Sequence, residues 1–447
     1  MNPIVSLLNP PPGPPRQLAR AWLWLGIAAL TLAGLLAILL GLSRTPSIQN
    51  VFPLRDFFKA ALVVHVDLSV LIWFMAAAGV LWSLGGDHRL PRLGWSGFVL
   101  AAAGTGLIAV SPFFPQAEPL LNNYIPVLQQ PVFFAGLLLA MCGFVLTTLR
   151  ALLTCWPERI ADCADSALRF GIFLSAIAGI LAFAAFFASW LDTPEFQGQH
   201  YFEALFWGGG HTLQFQHTLL MTVAWLLLAL HLESDMPLRP HVLAGCFGLA
   251  ALPLLAVPLL YAMWPAGSPY HIAYFARLME SGHLFMLPLL AVAAKLLWQI
   301  RCIGAAAKSA LLASFLLFAA GGILAFMIHG VNVVIPAHYH GSIVGVTLAF
   351  MGLAYVLLPR LGFAAPGPLA RWQPYVYGIG QLTHITGLAI AGGYGVQRKV
   401  AGAEQVLVSL PQKIGMGLMG LGMGIAVIGG AMFVVICLRA MLRRAND

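Results

Sequence analysis

Residues Pro336–Gly352, PAHYHGSIVGVTLAFMG, set two histidines two residues apart at the head of a strongly apolar run. What His338 and His340 can do depends on whether that run is strand or helix. Residues i and i+2 share one face of a strand but lie about 200° apart around a helix. Composition decides between the two. The chain is 60% hydrophobic and 9% charged over 447 residues, more apolar surface than a soluble domain needs, so it reads as a polytopic membrane protein. The run is then a membrane helix. Its two histidines point to opposite sides, cannot chelate one metal, and can each ligate a different one.

A membrane span takes roughly 20 mostly apolar residues. On that basis the fold class is an all-α integral membrane protein of about twelve transmembrane helices. They start near Ala21, Phe57, Leu93, Val132, Leu168, Glu203, His241, Gly282, Ser309, Ile335, Arg371 and Gln412. The expected organisation is a proline-rich tail over 1–20, a membrane domain over 21–443 and a short tail over 444–447. Sixteen of the 23 Lys and Arg residues fall on one side of these spans, among them Arg89, Arg92, Arg150, Arg301, Lys308 and Arg439. The positive-inside rule makes that side cytoplasmic, with both termini there, as in a bacterial inner membrane protein. The net charge of +8 is mostly this bias plus attraction to the lipid bilayer, and calls for no nucleic acid.

The six cysteines are scattered, with no C-x-x-C and no C-x-x-C-H, so neither a disulfide framework nor covalent heme attachment is indicated. The 13 histidines are informative because a polar ring at membrane depth is costly and usually functional. His65 and His211 fall about two turns below the outer ends of their helices on a rise of 1.5 Å per residue. His338, His340 and His384 lie toward the outer ends of theirs, and His271, His283 and His329 at the outer boundary. His200 reads as an outer loop residue. A helix placing one histidine on each side fits between two planar hemes. One isolated histidine is as often a hydrogen-bonding partner between helices, but a cluster at one depth is better explained by ligation.

Four separated stretches, in order and at similar depth, resemble the catalytic subunit of the heme-copper oxidase superfamily, which includes cytochrome oxidases and nitric oxide reductases. VVHVDLSVLIWF resembles the second helix, which places His65 as an axial ligand of a low-spin heme. FWGGGHTLQF resembles the sixth, which places His211 on a non-heme metal; the GGG run is expected to leave room for a macrocycle. PAHYHGS resembles the tenth, with His338 on the high-spin, substrate-binding heme and His340 completing the low-spin one. HITGLAIAGGYGVQRKV resembles the segment whose basic pair, here Arg398 and Lys399, holds heme propionates. The resemblance implies two hemes, the ligands leaving type a or b open and type b expected, plus one non-heme metal, copper or iron.

The departures are as informative. Copper oxidases carry two adjacent histidines near the outer end of the seventh helix; here the stretch reads LLYAMWPAGSPYHIAYFARLMESGH. Replacement ligands are sought among His271, His283, Tyr270 and Glu280, read as a loop, and Gln214, one helical turn past His211. Interfacial surface is the ordinary reading of His271 and His283, and helix packing that of Gln214 and His217. The position four past His211, a tyrosine in many oxidases, is Phe215; Tyr261 is a substitute, with packing as its ordinary role. The inner halves of the helices hold no carboxylate, and Asp67 alone lies clearly inside a span. These features favour nitric oxide reduction, which needs no O–O cleavage. Open alternatives are oxygen reduction with Tyr261 or Tyr270 in a radical role, a non-catalytic heme conduit, and a transporter, which would place polar residues at the midplane. With no electron-entry module in the sequence, a cupredoxin or cytochrome c subunit is the expected donor.

Overall fold

The computed structural model describes residues 6–43, 55–114, 118–156, 163–193, 195–232, 235–302, 304–398 and 406–443. Among them, eleven helical segments are long and apolar enough to cross a membrane. The segment Gln373–Gly393, 21 residues long, is a twelfth of sufficient length. Gln381, Thr383, His384 and Thr386 make it less apolar than the rest, so the expected number of spans holds.

The chain divides into two compact units. The first comprises Met1–Val223 and Met236–Val292. It contains α1 (Pro14–Ser43), α2 (Arg55–Val66), α3 (Trp73–Gly85), α4 (Pro91–Val110), a two-stranded hairpin of β1 (Glu118–Leu120) and β2 (Val127–Gln129), α5 (Pro131–Thr154), α6 (Ala164–Asp192) and most of α7 (Gly198–His231). It then takes α8 (Pro240–Ala251), α9 (Ala256–Met263), α10 (Pro269–Gly282) and the start of α11 (Leu287–Gln299). The second comprises Ala224–Asp235 and Ala293–Asp447, with α12 (Ala306–Ala325), α13 (Val334–Arg360), α14 (Gln373–Gly393) and α15 (Leu410–Leu442).

Three span starts lie five or more residues ahead of those read in the sequence. The first helix starts at Pro14, inside the proline-rich stretch, because proline at the first helical position loses no hydrogen bond it could have made. The sixth span starts at Gly198, so His200 is in its first turn and not in a loop. The eighth starts at Pro269, thirteen residues before the expected Gly282: the stretch read as a loop is helix α10. Ser268 caps it, its Oγ accepting from the His271 amide at 3.3 Å, with Pro269 at the first position. Ser followed by Pro is a helix-start signal, and the buried residues His271, Phe275 and Gly282 form one stripe of an amphipathic helix.

One irregularity matters for the site. Between α2 and α3 the helix widens to π geometry over Asp67–Ile72, directly after His65, where such bulges tend to occur at functional positions. Ser69 Oγ donates to the His65 carbonyl at 2.7 Å, giving it a partner within the bulge. Asp67 is 1% exposed, and neither of its carboxylate oxygens has a hydrogen-bond partner.

Candidate heme and metal sites

In the second unit, His338 and His340 face different neighbours, as two residues on opposite sides of a helix must. His338 Nδ1 donates to the Gly321 carbonyl of α12 at 2.8 Å. His340 packs edge-on against His384 of α14, with ring centroids 4.9 Å apart at 74°. His384 Nδ1 in turn donates to the Met419 carbonyl of α15 at 2.9 Å. The first of these bonds depends on two glycines: a Cβ on Gly341 would stand 2.7 Å from the Gly321 Cα, so only this pair lets α12 and α13 approach closely enough. The β-bridge between Asn332 and Gln397 and the Val333 amide donating to the Val396 carbonyl at 3.0 Å bring the Arg398 segment to the head of α13. There Arg398 acts electrostatically on Tyr339. Lys399 lies outside the described residues.

In the first unit, His65 Nδ1 donates to the Ala33 carbonyl of α1 at 2.8 Å. His65, His338 and His384 thus share one device. Nδ1–H is committed to a backbone carbonyl of a neighbouring helix, which fixes tautomer and ring orientation and leaves Nε2 for a metal. That is the condition an axial heme ligand has to meet, and His65 and His338 meet it.

The surroundings of His211 are built differently. His211 is 4% exposed, and its Nδ1 donates to the Trp207 carbonyl one turn earlier at 2.7 Å. The hydroxyl of Tyr124 lies 2.9 Å from Nδ1 and 3.0 Å from Nε2. With Nδ1–H already given to Trp207, Tyr124 O–H donates to Nε2. Tyr124 sits in the turn between β1 and β2. Asn122 shapes this turn, its Oδ1 accepting from the amides of Tyr124 at 3.1 Å and Ile125 at 3.0 Å, an Asx turn. Asn123 Nδ2 donates to Glu203 Oε2 at 2.7 Å and ties the turn to the start of α7. The Gln214 side chain is near enough to act on the phenol. Burial, and next the Glu203 carboxylate, push the Tyr124 phenol well above its ordinary pKa, so it remains a proton donor.

The glycines before His211 are not left open for a macrocycle. A Cβ on Gly208 would meet Tyr261, one on Gly209 would meet Phe186, and one on Gly210 would meet Tyr124. Three aromatic side chains occupy the room that the sequence reading assigned to heme.

His271 is fully buried, unlike an interfacial residue, and neither ring nitrogen has a hydrogen-bond partner. Its ring meets Tyr261 at 4.9 Å and Phe275 at 4.7 Å, and His211 packs on the same Phe275 at 5.9 Å. Two orphaned nitrogens at depth fit a ligand that has yet to receive its partner. His283 stacks on Phe215 at 4.4 Å and lies 3.5 Å from Thr218 Oγ1. Both His271 and His283 are close enough to act electrostatically on His211. Among the described residues, however, no group of three His, Cys, Asp or Glu side chains is arranged to hold a metal ion. Tyr270 is 65% exposed and stacks on Trp264, and Glu280 is exposed; the structure does not bring either to His211. Tyr261 bonds Ser189 at 2.8 Å. His217 packs on Phe74 of α3 at 4.8 Å, an interhelix contact. Tyr124 was missed in the sequence reading; its only local signal is the Asn-Asn turn.

Helix-borne histidines with anchored imidazoles, set among helices of membrane-crossing length, fit a heme-binding membrane protein. The family described as Cytochrome C and Quinol oxidase polypeptide I matches residues 17–432, and the chain belongs to it. It is therefore an oxidoreductase of the heme-copper oxidase superfamily, whose members bind hemes and a copper or iron site. An uncharacterized protein of Rickettsia prowazekii (strain Madrid E) is 30% identical over 95% of this chain and 96% of its own length. Another uncharacterized protein, from Aquifex aeolicus (strain VF5), is 29% identical over 79% of this chain and 88% of its own. The cryo-EM structure of a heme-copper terminal oxidase dimer superposes with a TM-score of 0.64 over 96% of this chain and 83% of that one, at 15% identity, a likeness of fold.

Proposed function

We propose that the protein is a respiratory oxidoreductase that reduces nitric oxide to nitrous oxide. Two nitric oxide molecules take two electrons and two protons and give nitrous oxide and water. The bound hemes would supply the electrons and an iron on which the gas binds, His65 and His340 holding one and His338 the other. His211 belongs to a non-heme metal, copper or iron, with the orphaned His271 beside it. Arg398 and Lys399 hold propionates. The observation that carries the choice of substrate is Phe215. Four residues past His211 the side chain is an apolar ring stacked on His283, with no phenol to supply an electron and a proton for O–O cleavage. A cupredoxin or a cytochrome c on the outer face of a bacterial inner membrane is the donor that fits, both termini then facing the cytoplasm.

One observation favours a second reading, oxygen reduced to water: the Tyr124 phenol bonded to His211 offers from a loop what Phe215 lacks. Heme and metal analysis of the purified protein, followed by anaerobic turnover with nitric oxide and aerobic turnover with oxygen, separates the two. Nitrous oxide formation is expected. Oxygen uptake without nitrous oxide formation would overturn the proposal in favour of the second reading.

A further inference from the structure

His384 carries the same anchor as His65 and His338 but is not among the heme ligands. In the second unit it is 7% exposed, its Nδ1 donates to the Met419 carbonyl of α15 at 2.9 Å, and its ring stands 4.9 Å from the His340 ring at 74°. The anchor is held by backbone. A Cβ on Gly422 would stand 2.3 Å from the His384 amide nitrogen and 2.7 Å from its Cα, and one on Gly387 would stand 2.4 Å from the Met419 nitrogen. Glycine on both helices lets α14 and α15 touch at the level where His384 finds its carbonyl. A ring that only filled space there could be phenylalanine, with no polar atom to satisfy at membrane depth. Tyr339 also meets the His340 ring, at 5.0 Å, but at 40% exposed it gives no comparable support.

We propose that His384 is a positioning residue for the low-spin heme: held by Met419, it fixes the plane of the His340 imidazole about the bond from that ring to iron. Backbone position alone does not settle this plane. The outer torsion of a histidine side chain is broad, and an imidazole bound through one nitrogen can turn about its bond to the metal. An edge-on aromatic neighbour removes that freedom, and the Met419 carbonyl removes the neighbour's own. The plane matters because it decides which iron orbitals the ring overlaps, so a residue that touches only the ligand tunes the heme. This rests on the reading that His340 ligates the low-spin heme, and it adds a residue that the resemblance does not supply.

The test compares wild type, His384→Phe, His384→Asn, Leu388→Ala and His340→Ala as purified full-length proteins. Hemes are counted by pyridine hemochrome, and the oxidised proteins are examined by electron paramagnetic resonance, whose low-spin g values report the angle between the two axial ring planes. Phe keeps a ring without the donor; Asn keeps a donor without the ring. Both His384 variants should retain two hemes and show a broader low-spin signal whose g values shift by more than the wild-type line width. Leu388→Ala, at a residue 6% exposed one turn further along α14, should lower the melting temperature without moving the g values, which separates positioning from packing. Should the His384 variants fail to fold, Gly387→Ala displaces the anchor with both histidines in place, its methyl meeting the Met419 nitrogen, and must shift the g values in the same way. Wild-type g values in either His384 variant, or in Gly387→Ala, overturn the inference while the ligation of His340 stands. Loss of the low-spin heme in the His384 variants with its retention in His340→Ala makes His384 the ligand and overturns the inference. Both hemes intact in His340→Ala overturn the reading on which it rests.

Discussion

The neighbourhoods of His338 and of His211 solve the same problem, orienting an imidazole at membrane depth, in opposite ways. His338 is oriented by backbone: its Nδ1 donates to the Gly321 carbonyl, and a glycine pair sets how close that carbonyl comes. His65 repeats the arrangement with Ala33. His211 uses its own helix for one nitrogen and a loop-borne phenol for the other. A backbone carbonyl moves only when a helix moves, whereas a side chain on a turn can be exchanged without disturbing the bundle. The first design suits a cofactor held permanently, the second a reactive site open to change.

The largest effect that would break this comparison comes from the histidines themselves. His65→Ala or His340→Ala should abolish the sharp low-spin absorption bands and leave a high-spin heme, while His211→Ala should leave both hemes and abolish turnover. Survival of both hemes, spectroscopically intact, in His340→Ala would show that its assignment is wrong. His211→Ala with normal turnover would show that the two neighbourhoods do not divide the labour as argued.

A second difference concerns protons. The inner halves of the spans read as free of carboxylates in the sequence, and Asp67, the acid clearly inside a span, is buried without a hydrogen-bond partner. Turnover in sealed vesicles should therefore eject no protons beyond those released by the donor. An uncoupler-sensitive outward acidification would shift the reading toward a pumping oxidase.

Glycine substitutions sharpen the contrast with smaller effects. In Gly341→Ala the new methyl meets backbone, the Gly321 Cα at 2.7 Å and its N at 2.9 Å. Backbone cannot rotate away, so α12 and α13 must separate, at a cost of about 1–3 kcal/mol, with a shift of the high-spin heme bands. In Gly210→Ala the methyl meets the Tyr124 ring, which the hairpin can release. Melting should then change by less than about 1 kcal/mol, the heme bands should stay, and turnover should fall. Equal spectral changes in the two variants would erase the distinction between backbone and side-chain anchoring.

This distinction also explains what could be read in the sequence. The H-x-H spacing in a membrane helix dictates opposite faces whatever surrounds it, so the placement of His338 and His340 was legible. Their anchors were not, because Ala33, Gly321 and Met419 contribute carbonyls that every residue has. Ser268 and Pro269 signal the start of helix α10, but its polar residues at the end of a span read as loop, and it is the buried stripe that makes His271 core and not surface. Tyr124 was hidden for a different reason. It reaches His211 from 87 residues away in sequence, across a hairpin of three-residue strands too short to show alternation. The space left by the glycines before His211 was anticipated, but its occupants were set by packing that no local pattern encodes.

The smallest effect tests the frame on which both neighbourhoods hang, the orientation in the membrane. Cys163 and Cys302 are exposed and lie in connections on the Lys- and Arg-rich side. Cys155, eight residues before Cys163 at the end of α5, is 1% exposed, and its Sγ donates to the Trp82 carbonyl at 3.3 Å. Burial, only partly opposed by nearby Arg150, pushes its thiol up to about 12. A raised pKa means less thiolate at every pH below it, and thiolate is the reactive form. A membrane-impermeant maleimide at pH 8 should therefore label Cys163 and Cys302 in inverted vesicles, leave them unlabelled in intact cells, and spare Cys155 in both until the protein is unfolded. Labelling of Cys163 or Cys302 from outside intact cells would invert the topology. It would place His211, His338 and the proposed donor surface toward the cytoplasm, where neither a cupredoxin nor a cytochrome c from outside could reach them.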